Sequence, residues 1–165
     1  MNYFKRKPWI ITIIGELIAL TSIFTPATTW NPAGSFAIQW MFQLGLRTEP
    51  FIEFGLWRTD PGLLSLSIIL SVIIFASALS IITLTIIYKR SSRDYPKLRW
   101  MWLLSAVLIA ISTLVWIIMM ELFYNAAGSS HWESYHPNFG VIGPFIAAGL
   151  IIAAFFLAKN VERNE

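Results

Sequence analysis

Four long apolar runs, at about 9–25, 63–88, 100–124 and 139–158, constrain this chain more than any other feature. Each is apolar enough to cross roughly 30 Å of hydrocarbon as a helix of about 20 residues. Hydrocarbon offers the backbone no hydrogen-bond partners, so a single spanning segment must satisfy its own amides, and only a helix does that. The predicted class is therefore an integral membrane protein, mainly α, built as an antiparallel four-transmembrane-helix bundle in one domain, 1–165. The connections between runs two and three and between runs three and four are short, which suits antiparallel neighbours. Hydrophobic residues make up 56% of the chain and charged residues only 13%, a balance rare in soluble domains. Run one carries a basic start like a signal peptide, but Glu16 interrupts it and it is long for a cleaved segment. It is read as a retained span.

The basic residues give the bundle a polarity. Ten of the twelve Lys and Arg fall on one side: Lys5, Arg6 and Lys7; Lys89, Arg90, Arg93, Lys97 and Arg99; Lys159 and Arg163. Only Arg47 and Arg58 fall on the other. Positive residues stay on the cytoplasmic side, so both termini are expected inside a cell (plasma) membrane. Segments 30–62 and 125–138 are expected outside. The basic clusters flank spans, so the pI near 9.4 does not mark a nucleic-acid face. The lipid bilayer is the expected partner, with the chain itself or another membrane protein beside it. There is no cysteine, which excludes disulfides, thiolate metal sites and thiol redox chemistry.

Segment 30–62 is too apolar for a disordered loop. Phe36, Ile38, Trp40, Phe42 and Leu44 alternate with Ala37, Gln39, Met41 and Gln43. Period two predicts a strand with one greasy face. "RTEP" then supplies turn chemistry, and the aromatic-rich "FIEFGLWRTD" follows. The expectation is a small external β-sheet with its apolar face on lipid or on the bundle; an interfacial helix or re-entrant loop is the alternative. The run 35–44 carries no charge to repel another copy. Gln39 and Gln43 are expected to face a neighbouring chain across an exposed edge. Small residues four apart, Gly143 with Ala147 and Gly149 with Ala153, give span four two faces for close helix approach.

Glu16 is the acid well inside a span. An intramembrane carboxylate is costly and raises a functional question. It could carry protons or pair with a partner's cation, or it could be held by Ser or Thr on span two. Glu121, near the outer end of span three, is expected to cap or pair locally. "HWESYH" offers His131, Glu133 and His136, but their spacing fits neither one helix face nor one strand face, so a surface loop with a Trp anchor is favoured over a metal site. No nucleophile triad, phosphate loop or carboxylate pair is present, so no enzyme activity and no cofactor are expected.

Pro26 and Trp30 after run one, Gly55-Leu56-Trp57 with Arg58 some 25 residues later, and "ELFYN" at 121–125 resemble the claudin, peripheral-myelin-protein and stargazin-like four-span superfamily. The chain departs from it in lacking the pair of cysteines after Gly-Leu-Trp, with only "RTDPG" left before run two. The resemblance implies four spans, both termini inside and a large first external loop that Trp30 and Trp57 fasten to the outer ends of the bundle, Gly55 allowing close backbone approach there. It also implies non-catalytic work in adhesion, lateral assembly or membrane organisation. An accessory subunit of a larger membrane complex, of channel or respiratory type, and a small proton or ion transporter using Glu16 are the other two expectations.

Overall fold

The computed structural model describes residues 7–31, 37–47, 53–56, 61–88, 95–126, 128 and 130–162. Four long helices carry the chain: α1 (Pro8–Phe24), α2 (Pro61–Tyr88), α3 (Tyr95–Ala126) and α5 (Phe139–Glu162). Proline opens α1 and α2, where the missing amide proton costs nothing because the first turn has no acceptor for it. Pro144 sits inside α5, one turn from its start. Among the described residues, three helices are long and apolar enough to cross a membrane, at Pro61–Tyr88, Lys97–Asn125 and Phe139–Lys159. The fourth, α1, is apolar but only 17 residues long. Its rise is about 25 Å, short of the roughly 30 Å of hydrocarbon.

The helices pack in a ring: α1 against α5 and α2, and α3 against α2 and α5. Close contacts set their directions. Gly15 lies against Ala147 and Ile151, Ser22 against Gly143, and Thr25 against Gly140, so α1 and α5 run oppositely. Trp102, near the start of α3, donates its indole N–H to Thr85, near the end of α2 (2.9 Å), so these two also run oppositely. Outward positions are as apolar as inward ones, with Leu17, Ile69, Val72, Leu104, Ile111, Leu114 and Phe156 all exposed. Inward positions hold Ala19, Ala78, Ala106, Ala147 and Ala154 beside Thr12, Ser71, Ser112 and Thr113. Where lipid replaces water outside, apolar side chains gain little by turning in, and small residues that let backbones approach are favoured there instead. Several of the buried hydroxyls bond back to their own helix, Ser71 to the Ser67 carbonyl and Thr113 to the Ile109 carbonyl.

A five-stranded antiparallel sheet covers one end of the helices. Its strands are β1 (Thr28–Trp30), β2 (Ala37–Gln39), β3 (Leu44–Arg47), β4 (Glu53–Leu56) and β5 (His136–Pro137), in the order β4-β3-β2-β1-β5. Thr29 faces Ile38 on one side and His136 on the other. The sheet was expected from segment 30–62 alone. In fact β1 starts before that segment, and β5 comes from the link between α3 and α5, preceded by a single helical turn, α4 (His131–Ser134).

The long alternating run is not one strand. It is a hairpin, β2 to β3, turning through Met41, Phe42 and Gln43. The Gln43 amide bonds to the Trp40 carbonyl (3.0 Å), and the Trp40 amide to the Leu44 carbonyl (2.8 Å). Gln43 takes the left-handed conformation, φ 64°, as the last residue of a three-residue hairpin loop does. The faces are also the reverse of the expectation. Ala37, Gln39, Met41 and Gln43 are buried, whereas Ile38, Trp40, Phe42 and Leu44 are half-buried. Amide side chains must find partners once out of water, and the helix ends supply them. Phe36 lies outside the described residues.

Candidate functional site

Among the described residues, buried polar chemistry that packing alone does not require gathers at the sheet–helix junction, at Glu16 and around His131. The first is the junction of the sheet and the helices. The Thr28 hydroxyl donates to the Gln39 side-chain oxygen Oε1 (3.5 Å), the Gln39 side-chain amide donates to Gln43 Oε1 (2.6 Å), and the Gln43 side-chain amide donates to the Ser67 hydroxyl (3.0 Å). The same amide lies 3.3 Å from the Met120 sulfur. This chain of bonds runs from β1 through the hairpin to α2 and α3. Beside it, Trp116 of α3 donates its indole N–H to the Met41 carbonyl (2.9 Å), and the Trp40 indole donates to the Phe24 carbonyl at the end of α1 (3.1 Å). Three helices thus hold one hairpin loop.

Gln39 and Gln43 were expected at an association surface. They are 0% and 2% exposed and face the protein's own helices, so they cannot meet a neighbouring chain. Gln43 holds a strained backbone because its side chain makes two of these bonds. Gln43→Ala and Gln43→Gly should therefore both destabilise the fold, by about 1–3 kcal/mol for the lost amide bonds. Glycine should be the milder change, by roughly 1 kcal/mol, because it adopts positive φ freely. Denaturant unfolding in detergent measures both; alanine equal to or milder than glycine would remove the strain from the account.

The second place is Glu16, midway along α1 and 0% exposed. The hydroxyl beside it is that of Ser105 on α3, not one on α2 as expected. Even so, neither Glu16 oxygen nor the Ser105 oxygen makes a hydrogen bond among the described residues. Ser105 also lines a cavity of about 180 Å³ between α2 and α3, with Ser77, Ser80, Leu84 and Leu108.

The remaining expected residues separate. Gly143 and Ala147 are buried against α1, whereas Gly149 and Ala153 are exposed and a Cβ on Gly149 would meet open space. Trp30 is half-buried in β1 and stacks on Tyr135 (6.3 Å, 25°). Gly55 is exposed, and with Leu56 it ends β4; Trp57 and Arg58 lie outside the described residues. The Glu121 carboxylate accepts bonds from the Ser130 hydroxyl (2.9 Å) and from the amides of His131 (3.1 Å) and Trp132 (3.4 Å), the local capping expected of it. Trp132, expected as a surface anchor, packs edge-on against Trp116 at 6.5 Å.

His131 and His136 do not converge: His131 is 0% exposed and His136 is exposed. The His131 ring is stacked on Tyr135 at 4.5 Å and touches Tyr124 and Trp132 at 4.6 Å each. Burial pushes its imidazole down from 6.5 to about 4, against a smaller opposing pull from Glu121. His131 was weighed beforehand only as a metal ligand, and its aromatic cage was not foreseen, since the rings come from α3 and from either side of α4. The density of aromatics in "HWESYH" and "ELFYN" was the available signal.

No family model matches the chain, and no curated protein matches it significantly.

Proposed function

We propose that this chain is a non-catalytic four-span protein of the plasma membrane, claudin-like in plan, whose external sheet serves lateral assembly. In this reading α1 is the fourth span, since it packs along α5, and the termini are cytoplasmic because Lys and Arg crowd that side. The observation that carries the reading is the sheet itself. It joins the segments 30–62 and 125–138, is rooted in α2 through the Gln39–Gln43–Ser67 bonds and in α3 and α1 through the Trp116–Met41 and Trp40–Phe24 bonds, and among the described residues has β4 at its edge. An edge strand presents unpaired amides and carbonyls to a neighbour. A rigid base lets that edge be offered in a fixed orientation.

Gly55 on β4 is the position to test, since it is exposed and a side chain there meets open space. The single cysteine of Gly55→Cys should react with an impermeant reagent from outside and crosslink between chains in native membranes. Native mass after gentle extraction then separates the forms of assembly. Self-polymers support the claudin-like role, and a defined hetero-complex supports an accessory subunit. A monomer that never crosslinks through Gly55→Cys would remove the reading.

The Glu16 carboxyl, without a hydrogen-bond partner among the described residues, favours a second reading, a small proton or ion transporter. Flux in liposomes that is lost in a normally folded Glu16→Gln would support it.

A further inference from the structure

We propose that His131 is an acid-sensitive latch that holds α4 and β5 against the sheet and the end of α3. The geometry has three parts. The imidazole is fully buried, and neither ring nitrogen has a hydrogen-bond partner among the described residues. Its walls are the rings of Tyr124 from α3, Trp132 from α4 and Tyr135 from the link to β5. Tyr135 in turn stacks on Trp30 of β1, so this ring cluster connects the link to both the helix end and the sheet.

A neutral imidazole suits such a cage; a charged one must shed its water, and the attraction of a cation to Tyr and Trp faces repays only part of that cost. The titratable groups facing it are Glu121 and Tyr124 on α3 and Tyr135 beyond α4. Glu133 and His136, of the same segment, are exposed. Glu121 is the anion that could compensate, but its oxygens already accept from Ser130 and from the His131 and Trp132 amides. Its attraction is outweighed by burial. Protonation therefore favours a state in which the ring reaches water, and leaving the cage breaks the Tyr135 stack. β5 is only two residues long, His136–Pro137, and past it the Asn138 and Gly140 amides bond to the Ala27 and Pro26 carbonyls, so opening starts at its His136 end and reaches Asn138 next. Its departure uncovers the edge of β1 at Thr28 and Thr29. The latch stands whether or not the sheet assembles with neighbours.

The sign follows from proton counting. The docked state binds fewer protons than the open one between about pH 4 and 6.5, so docking strengthens as pH rises through that window. The shift from 6.5 to about 4 corresponds to about 300-fold in the docking equilibrium.

Hydrogen exchange at the Asn138 amide, which bonds to the Ala27 carbonyl (2.8 Å), reads the opening. In the full chain in nanodiscs, protection corrected for intrinsic exchange should fall by up to about 300-fold from pH 7 to pH 4. His131→Phe and His131→Gln remove the titration and should flatten the response. A disulfide from Thr29→Cys with His136→Cys, which face each other across β1 and β5, should flatten it with His131 intact. Unchanged wild-type protection at pH 4 would overturn the latch, as would an equally steep fall in either His131 variant or in the disulfide-locked chain.

Discussion

Gly140→Ala should be among the most damaging single-methyl additions in this molecule. A Cβ at Gly140 would lie 2.6 Å from the Thr25 carbonyl oxygen and 2.7 Å from both the Cα and the amide nitrogen of Ala27. These are backbone atoms, so no side-chain rotation relieves the clash. The same few residues carry the junction of helix and sheet. The Gly140 amide bonds to the Pro26 carbonyl, the Asn138 amide to the Ala27 carbonyl, and the Ala27 amide to the Gln39 carbonyl. Moving α5 away from α1 strains the first two of these bonds. Overpacking of a close-packed site costs about 1–3 kcal/mol and occasionally more, and this site should reach the top of that range. Gly149→Ala is the matched control. Its Cβ meets open space, and alanine gains about 0.5–1 kcal/mol over glycine inside a helix. Thermal unfolding in detergent compares the two. Equal behaviour would mean that the α1–α5 junction yields more easily than its backbone contacts imply.

Removing the Glu16 carboxyl should make the protein more stable. Glu16→Met keeps the side chain's length and deletes two oxygens that have no hydrogen-bond partner among the described residues. A buried polar group left unsatisfied costs about 1–3 kcal/mol, and that much should be regained in denaturant unfolding. Methionine's flexibility lets it occupy the volume of the Glu16 side chain beside Ser105. Loss of stability instead would show that the carboxyl has a partner, a water or a bound molecule, that compensates its burial. Paired with flux in liposomes, the same variant separates a tolerated acid from a working one. A stabilised protein with unchanged behaviour makes Glu16 incidental, whereas a stabilised protein that has lost flux makes it the reason the cost is retained.

Gln39 shows how far pattern reading reaches in such a chain. Its alternation with Ile38 and Trp40 correctly indicated β structure, and the greasier face was taken to be the one against lipid or the bundle. That inference assumes the solvent rewards burying apolar surface. At the end of a helical bundle the reward goes instead to pairing amides, so Gln39 and Gln43 turned inward. Gly143 and Gly149 make the same point within one helix: their spacing offered two equivalent faces, and only the position of α1 decided that Gly143 is used within the chain.

The sequence by itself determined that most of this protein is helix, because long apolar runs leave the backbone no other way to satisfy its hydrogen bonds. It also determined that the segment after the first helix forms β structure and that Glu121 caps its neighbourhood, since period-two alternation and local capping both act over short distances. Tertiary structure alone decided that β5 completes the sheet, that Gln43 turns a hairpin by reaching Ser67 and Met120, that Glu16 sits beside Ser105 without a bond, and that His131 is caged by Tyr124, Trp132 and Tyr135. Several of these pairings join residues tens of positions apart. Each depends on which faces the packed helices leave available, a quantity that no local window of sequence contains.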